Sequence, residues 1–214
     1  MTETTEGGPV DETPRRFRDA LSVAREAWAA ADPHRQAALA ACSMDGADVV
    51  VPYFSREYRV THPAGEVTCG AAAAHAAVAI LILHYLIGAD GSSDDDAWHA
   101  FRELPDGMFY ATSFARRAEA TLAAAFAAGE GGSLGRFRAV ASAQAGEQLD
   151  LADAGYAFRA LPKIRLAVLV WQGDDDFPAE ARVLFSSAAA RVLPAEDLAG
   201  LGEALARMLV ASAR

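Results

Sequence analysis

Ile164-Arg165-Leu166-Ala167-Val168-Leu169-Val170-Trp171, running on into Gln172-Gly173-Asp174-Asp175-Asp176-Phe177-Pro178, decides how this chain folds. Its first part is apolar on both alternating sets of positions, Leu166, Val168 and Val170 against Ala167, Leu169 and Trp171. A strand with that pattern buries both faces and belongs in the interior of a sheet. It stops in three adjacent carboxylates held between a glycine and a proline. Charge crowded beside a buried strand costs stability unless water, a cation or a helix end compensates it.

Working outward, residues 155–160 and 181–185 read as flanking strands. Leu193-Pro194 then opens a last helix, with Glu196 and Asp197 in its first turn, where the macrodipole favours acids. Leu198, Leu201, Leu205 and Leu209 give that helix a buried stripe. Towards the amino terminus, Phe17, Leu21, Ala24 and Trp28 recur at helical spacing, and Asp32-Pro33 caps a second short helix that ends near Asp45-Gly46. Residues 48–61 are rich in β-branched and aromatic side chains and predict two strands, with Pro52 placing the first at an edge or bulge. A turn at Pro63-Ala64-Gly65 leads to Glu66-Val67-Thr68. Gly70 to Ile87 predicts a long buried helix carrying both His75 and His84. It is too short and too rich in histidine and alanine for a membrane span. A short helix ending at Phe101, a turn over Leu104-Pro105-Asp106-Gly107, a helix from Ser113 to Ala128 and another from Phe137 to Ala145 fill the middle. Helices, strands, helices, strands and a helix follow one another without regular alternation. The expected fold is α+β, a mainly antiparallel sheet packed against a central buried helix and further amphipathic helices.

The chain has 214 residues, 52% hydrophobic and 22% charged, and a formal net charge of -10. That balance predicts one α+β domain over 15–214 and argues against nucleic acid, which is gripped by a basic footprint. Residues 1–14 are acidic and glycine-containing, without the basic and apolar regions of a signal peptide, and are expected to form a disordered tail. Cys42 and Cys69 have no Cys-x-x-Cys partner, so they read as reduced thiols of a cytoplasmic protein.

Several chemistries are excluded. The only lysine, Lys163, follows a proline, so there is no phosphate-binding Gly-Lys-Ser/Thr loop. No His-Glu-x-x-His or Gly-x-Gly-x-x-Gly occurs, and without asparagine there is no Cys-His-Asn triad. The remaining candidates each have a plain structural role beside the functional one. His84 is a hydrogen-bonded core residue, or an axial ligand or general base. Asp94 to Asp96 compensate a helix dipole. Asp174, Asp175 and Asp176 form a solvated turn, or bind a divalent cation with at most two of their carboxylates. Arg102 and Glu103 pair to fix a loop, or Arg102 clamps an anion. Ser186 and Ser187 form a turn, or touch a ligand.

Three segments, Leu81-Ile82-Leu83-His84-Tyr85-Leu86, Phe101-Arg102-Glu103-Leu104-Pro105-Asp106-Gly107-Met108-Phe109-Tyr110, and Trp171 through Phe185-Ser186-Ser187 to Leu193-Pro194-Ala195-Glu196-Asp197-Leu198, resemble in order and spacing a prokaryotic family, domain of unknown function 3786. The resemblance runs from the first helix to the last and transfers no activity. Some relatives are linked to iron–sulfur or corrinoid proteins, which implies cofactor handling, although this chain has no cysteine cluster. The resemblance places His84, Arg102, Glu103, Tyr110, Asp174 to Asp176, Ser186, Ser187 and Glu196 at the family's polar motif positions.

Together these readings lead to the expectation of a non-catalytic small-molecule or cofactor site, with a corrinoid or other tetrapyrrole as the implied group. It would lie where the strand ends at Trp171 and Phe185 meet the 101–110 loop. Arg102 would hold an anion, Trp171 or Tyr110 would pack on a planar portion, and His84 would supply a nitrogen. Two alternatives stay open. One is a metal-assisted hydrolase or lyase using Asp174 and Asp176 with Glu103 or His84 as base. The other is an acidic module that docks a basic protein partner.

Overall fold

The structure, a computed structural model, describes residues 14–92, 97–127, 134–173 and 176–213. The amino-terminal tail, Asp94 to Asp96, Asp174 and Asp175 therefore lie outside the described residues. The fold is α+β, with two antiparallel five-stranded sheets.

Helices α1 (Arg15–Ala29) and α2 (Pro33–Leu39) come first, and Asp32 caps α2 by accepting from the backbone of His34 and Arg35. The first sheet then runs in sequence order through β1 (Ser43–Asp45), β2 (Asp48–Tyr53), β3 (Arg56–Val60), β4 (Val67–Cys69) and β5 (Ala72–Ala73). Strand β2 lies inside the sheet, and Pro52 pairs with Glu57 of β3, but its other flank is open because β1 covers β2 only from Asp48 to Val50. Helix α3 (Ala76–Gly88) follows, buried almost all round from Ala79 to Leu86.

The second sheet has the order β6 (Trp98–Ala100), β10 (Glu180–Ser186), β9 (Ile164–Trp171), β8 (Ala154–Leu161) and β7 (Glu147–Leu149). Strand β9 is central, as its two apolar faces require. Between β6 and β7 the chain forms α4 (Gly107–Phe114), a widened π turn (Ala115–Glu119), α5 (Ala120–Phe126) and α6 (Leu134–Ala143). After β10 come the short α7 (Ala189–Val192) and the long α8 (Ala195–Ser212). One apolar core joins both sheets and the helices, with Phe101, Phe114 and Phe185 clustered at its centre.

The sheets are stitched at two points. The backbone N–H of Phe54 donates to the carbonyl of Ala160 at 2.8 Å, joining the β2–β3 turn to β8. The fully buried Tyr85 donates its hydroxyl to the carbonyl of Ala40 at 2.7 Å and accepts from the N–H of Lys163 at 3.1 Å. That single phenol holds the end of α2, the C-terminal part of α3 and the β8–β9 turn, and burial pushes its pKa up.

Four expectations need correcting. The long helix begins at Ala76, not Gly70. Gly70, with φ of 59°, makes the β4–β5 turn, and the alanines after it pair as a strand despite their helical propensity. His75 is consequently the cap of α3, accepting from the N–H of Ala77, and does not share its helix with His84. The expected short helix before Phe101 is instead β6 and a 3₁₀ turn (Phe101–Glu103), because β10 offers an open edge to Trp98, His99 and Ala100. Finally, the helix expected from Ser113 starts at Gly107.

Strand β6 covers β10 only from Leu184 to Ser186, which leaves the N–H of Val183 without a ladder partner on that side. Glu119, the buried last residue of the π turn, fills the gap by accepting that N–H at 3.2 Å, and Arg182 approaches its other oxygen at 3.5 Å. Desolvation raises the Glu119 carboxyl above its usual range, against the N–H and the guanidinium. Glu119→Gln keeps an acceptor for Val183 and is expected to change stability by less than about 1 kcal/mol. Glu119→Ala orphans a buried donor and is expected to cost about 1–3 kcal/mol in denaturant unfolding. Equal losses in the two variants would show that the ion pair, not the sheet-edge bond, sets the effect.

Candidate functional site

Polar groups gather where β6 begins and β10 ends. Tyr85 of α3 meets Lys163 there, at the start of β9, so α3 reaches the same end of the sheet. The chain leaves β10 at Ser186, turns through Ser187 into α7 and then enters α8. A Cβ added to Gly88, in the last turn of α3, would lie 2.2 Å from the carbonyl oxygen of Val192. Glycine at this position lets α7 come down onto α3, and the first turn of α8 arrives beside it.

Two imidazoles stand at this end. His84 Nδ1 and Asp197 Oδ2 lie 2.6 Å apart, joining α3 to the first turn of α8. The imidazole is 35% exposed and the carboxylate 12%, so the acid is shielded behind the ring and the ring faces out. The hydrogen bond to Asp197 raises the pKa of His84 above the ordinary histidine value. Partial burial opposes the rise, and the charges of Asp197 and Glu196 add to it. A carboxylate on Nδ1 fixes the tautomer and leaves Nε2 as the free nitrogen, the arrangement that orients metal-ligating and basic histidines. Nearby, His99 Nε2 lies 3.0 Å from the hydroxyl of Ser187. Ser186 is fully buried and accepts the N–H of Arg165 at 3.2 Å. The Arg165 guanidinium sits over the ring of Trp98 at 5.3 Å.

The expected candidates therefore separate into three groups. His84, Ser186, Ser187 and the exposed Glu196 share the end just described. Arg102, Glu103 and Tyr110 lie around the 3₁₀ turn and the start of α4. Glu103 accepts the N–H of Ala100 at 2.8 Å, and the charge of Arg102 adds a small pull downward on the Glu119 carboxyl. Tyr110 is 43% exposed beside the still more exposed Met108 and Phe109. Trp171 and Asp176 sit at the far end of the sheet. Trp171 pairs with Glu180, whereas Ser186 pairs with Trp98. At about 3.3 Å per residue, the two ends of β10 are about 20 Å apart.

The single hollow shared by Trp171, Phe185 and the 101–110 loop does not form. In an antiparallel hairpin the end of one strand meets the beginning of the next, so Trp171 and Phe185 are driven apart. Among the described residues no group of three or more His, Cys, Asp or Glu is arranged to hold a metal ion. A shallow cavity of about 450 Å³ lies elsewhere, between α1 and Pro63-Ala64, lined by Arg18, Arg25 and Glu26. No helix among the described residues is long and apolar enough to cross a membrane.

Sequence reasoning named His84 but not its partner Asp197, and it missed His99 altogether. Asp197 was fully explained by the helix dipole, and His99 lies in a strand that local pattern did not reveal.

Fold and site define an α+β protein of two antiparallel sheets with a carboxylate-held histidine at one sheet end. The chain belongs to the family described as Domain of unknown function (DUF3786), matched over residues 32–208. No curated protein and no solved structure matches it.

The raised pKa of His84 carries a sign that can be checked. A histidine whose folded value exceeds its unfolded value of about 6.5 adds stability that is complete below that pH. The contribution is lost as pH rises through the folded value. Thermal midpoints recorded from about pH 5.5 to about pH 8.5 are expected to fall more on the alkaline side for the wild type than for Asp197→Asn. Parallel profiles would show that the contact does not link folding to protonation.

Proposed function

We propose that the protein binds a metal-containing cofactor, a corrinoid or other tetrapyrrole, through Nε2 of His84, and that this site holds the group without catalysing a reaction on it. The observation that carries the reading is the 2.6 Å contact between His84 and Asp197. The donor chemistry fits. Imidazole nitrogen suits cobalt and iron centres, and a largely shielded carboxylate on Nδ1 raises the basicity of the opposite nitrogen and holds the ring in one orientation. Asp197 sits in the first turn of α8, where the helix dipole favours its anionic form. Glu196, exposed one residue earlier, adds negative charge beside the ring. When bound, the cofactor's metal supplies the redox or group-carrying chemistry, and this chain supplies the nitrogen and its orientation. The link of some relatives to corrinoid proteins points the same way, as an association.

The two other readings have less to rest on. Asp176 lies at the opposite sheet end from His84, so these two groups do not meet around one ion. Nothing in the described residues favours an acidic docking face over a solvated one.

The full chain titrated with hydroxocobalamin, and separately with haemin, is expected to shift the visible absorbance of one of them. The shift is expected to be abolished in His84→Ala and weakened about 10–100-fold in affinity in Asp197→Asn, the usual loss on removing a ligand-orienting carboxylate. Spectra that do not change, or that change equally in wild type and His84→Ala, would remove the proposal.

A further inference from the structure

The second imidazole of this sheet end stands on a more rigid frame than the first. His99 is the middle residue of β6 and pairs directly with Phe185 of β10. Ser187 follows β10 immediately, and its N–H donates to the carbonyl of Ala97 at 3.2 Å, extending the ladder by one step. Side chains two apart on a strand share a face, so Ser187 falls on the same face as Phe185 and diagonally beside His99. The result is the 3.0 Å separation between Ser187 Oγ and His99 Nε2. Both backbones are locked by the same strand pairing, so the contact is preorganised and does not depend on a wandering loop. Both residues are half-buried, reachable yet partly screened. The neighbouring Ser186 is unavailable, being fully buried and engaged with the backbone of Arg165. Ser187 also sits at the turn from a strand into a helix, a position that presents a hydroxyl outward.

We propose that Ser187 is a nucleophile activated by His99 and that it accepts acyl groups from small activated esters or thioesters. His99 acts as the tautomer with hydrogen on Nδ1, leaving the Nε2 lone pair towards the Ser187 hydroxyl. Ser187 Oγ forms a bond to the acyl carbon while its proton passes to His99 Nε2. The bond to the leaving alkoxide or thiolate breaks, and that group takes the proton from His99. Water then attacks the acyl-serine with His99 again as base, releasing the carboxylic acid and restoring the free hydroxyl. This activity is independent of the cofactor reading, since neither Ser187 nor His99 takes part in it.

The test is covalent labelling of the full chain with a fluorophosphonate, followed by peptide mass mapping. The adduct is expected on Ser187, formed at least about tenfold faster than on the exposed Ser142 and slowed at least about tenfold in His99→Gln, within the range that general-base assistance supplies. The faster wild-type labelling of Ser187 over Ser142 is a readout that needs no variant to fold. No adduct on Ser187, labelling no faster than Ser142, or an unchanged rate in a folded His99→Gln would each overturn the proposal.

Discussion

Strand β10 is the constraint on which both the stability and the chemistry of this molecule turn. It is bonded to β9 from Glu180 to Phe185 on one side and to β6 from Leu184 to Ser186 on the other. The mismatch in those two lengths leaves an edge that a buried sheet cannot tolerate unsatisfied, because a lone backbone donor in the interior costs as much as a lost hydrogen bond. Glu119 answers it from the widened turn between α4 and α5, with a carboxylate standing where a strand would have been. A π turn is a common place to find a residue doing something other than packing, and here that residue closes a sheet. At its other end β10 hands the chain directly to Ser187, α7 and α8, so the same strand that needs Glu119 delivers Asp197 to His84.

What could be read from the sequence follows from how local each signal was. The interior strand β9, the leucine stripe of α8 and the Asp32 cap are written in contiguous residues, and they are found where expected. Residues 70–74 read as helix because alanine is the best helix former, whereas β4 offers a strand partner that propensity does not count. Strand β6 escaped for the same reason: Trp98, His99 and Ala100 carry no period of their own and are extended only because β10 has room for them. The three-residue strands β1 and β7 are too short to show alternation at all.

The site was legible in part, and its misplacement was avoidable. Consecutive strands joined by a short acidic turn form a hairpin, and a hairpin separates the C-terminal ends of its two strands by their full length. Trp171 and Phe185 were therefore never candidates for one hollow, a conclusion available from strand order alone. The His84–Asp197 contact was not available in that way. The two residues are 113 positions apart, and each had a sufficient local explanation, one as a core histidine and the other as a helix-dipole acid. Pairings of this kind become visible only when packing brings two self-sufficient readings into the same space.

The unequal exposure of that pair decides what it is suited to. An exposed carboxylate with a buried imidazole behind it would present negative charge and invite cations or basic side chains. Here the order is reversed. Asp197 is the shielded member, its charge favoured by the start of α8 and spent on Nδ1, and the surface that remains is a neutral-to-cationic ring edge with one free nitrogen. On a chain with a net charge of -10, a nitrogen donor of that kind is the exception to the surrounding electrostatics. It offers directional bonding with little simple charge attraction, which favours a ligand recognised through a coordinate or hydrogen bond over one gathered by the overall field. The Ser187–His99 pair differs in the same sense. Its histidine faces a hydroxyl, not an anion, and in the tautomer with hydrogen on Nδ1 its Nε2 lone pair is directed at that hydroxyl. Two imidazoles at one sheet end are thus set for different work by nothing more than the partner each one meets.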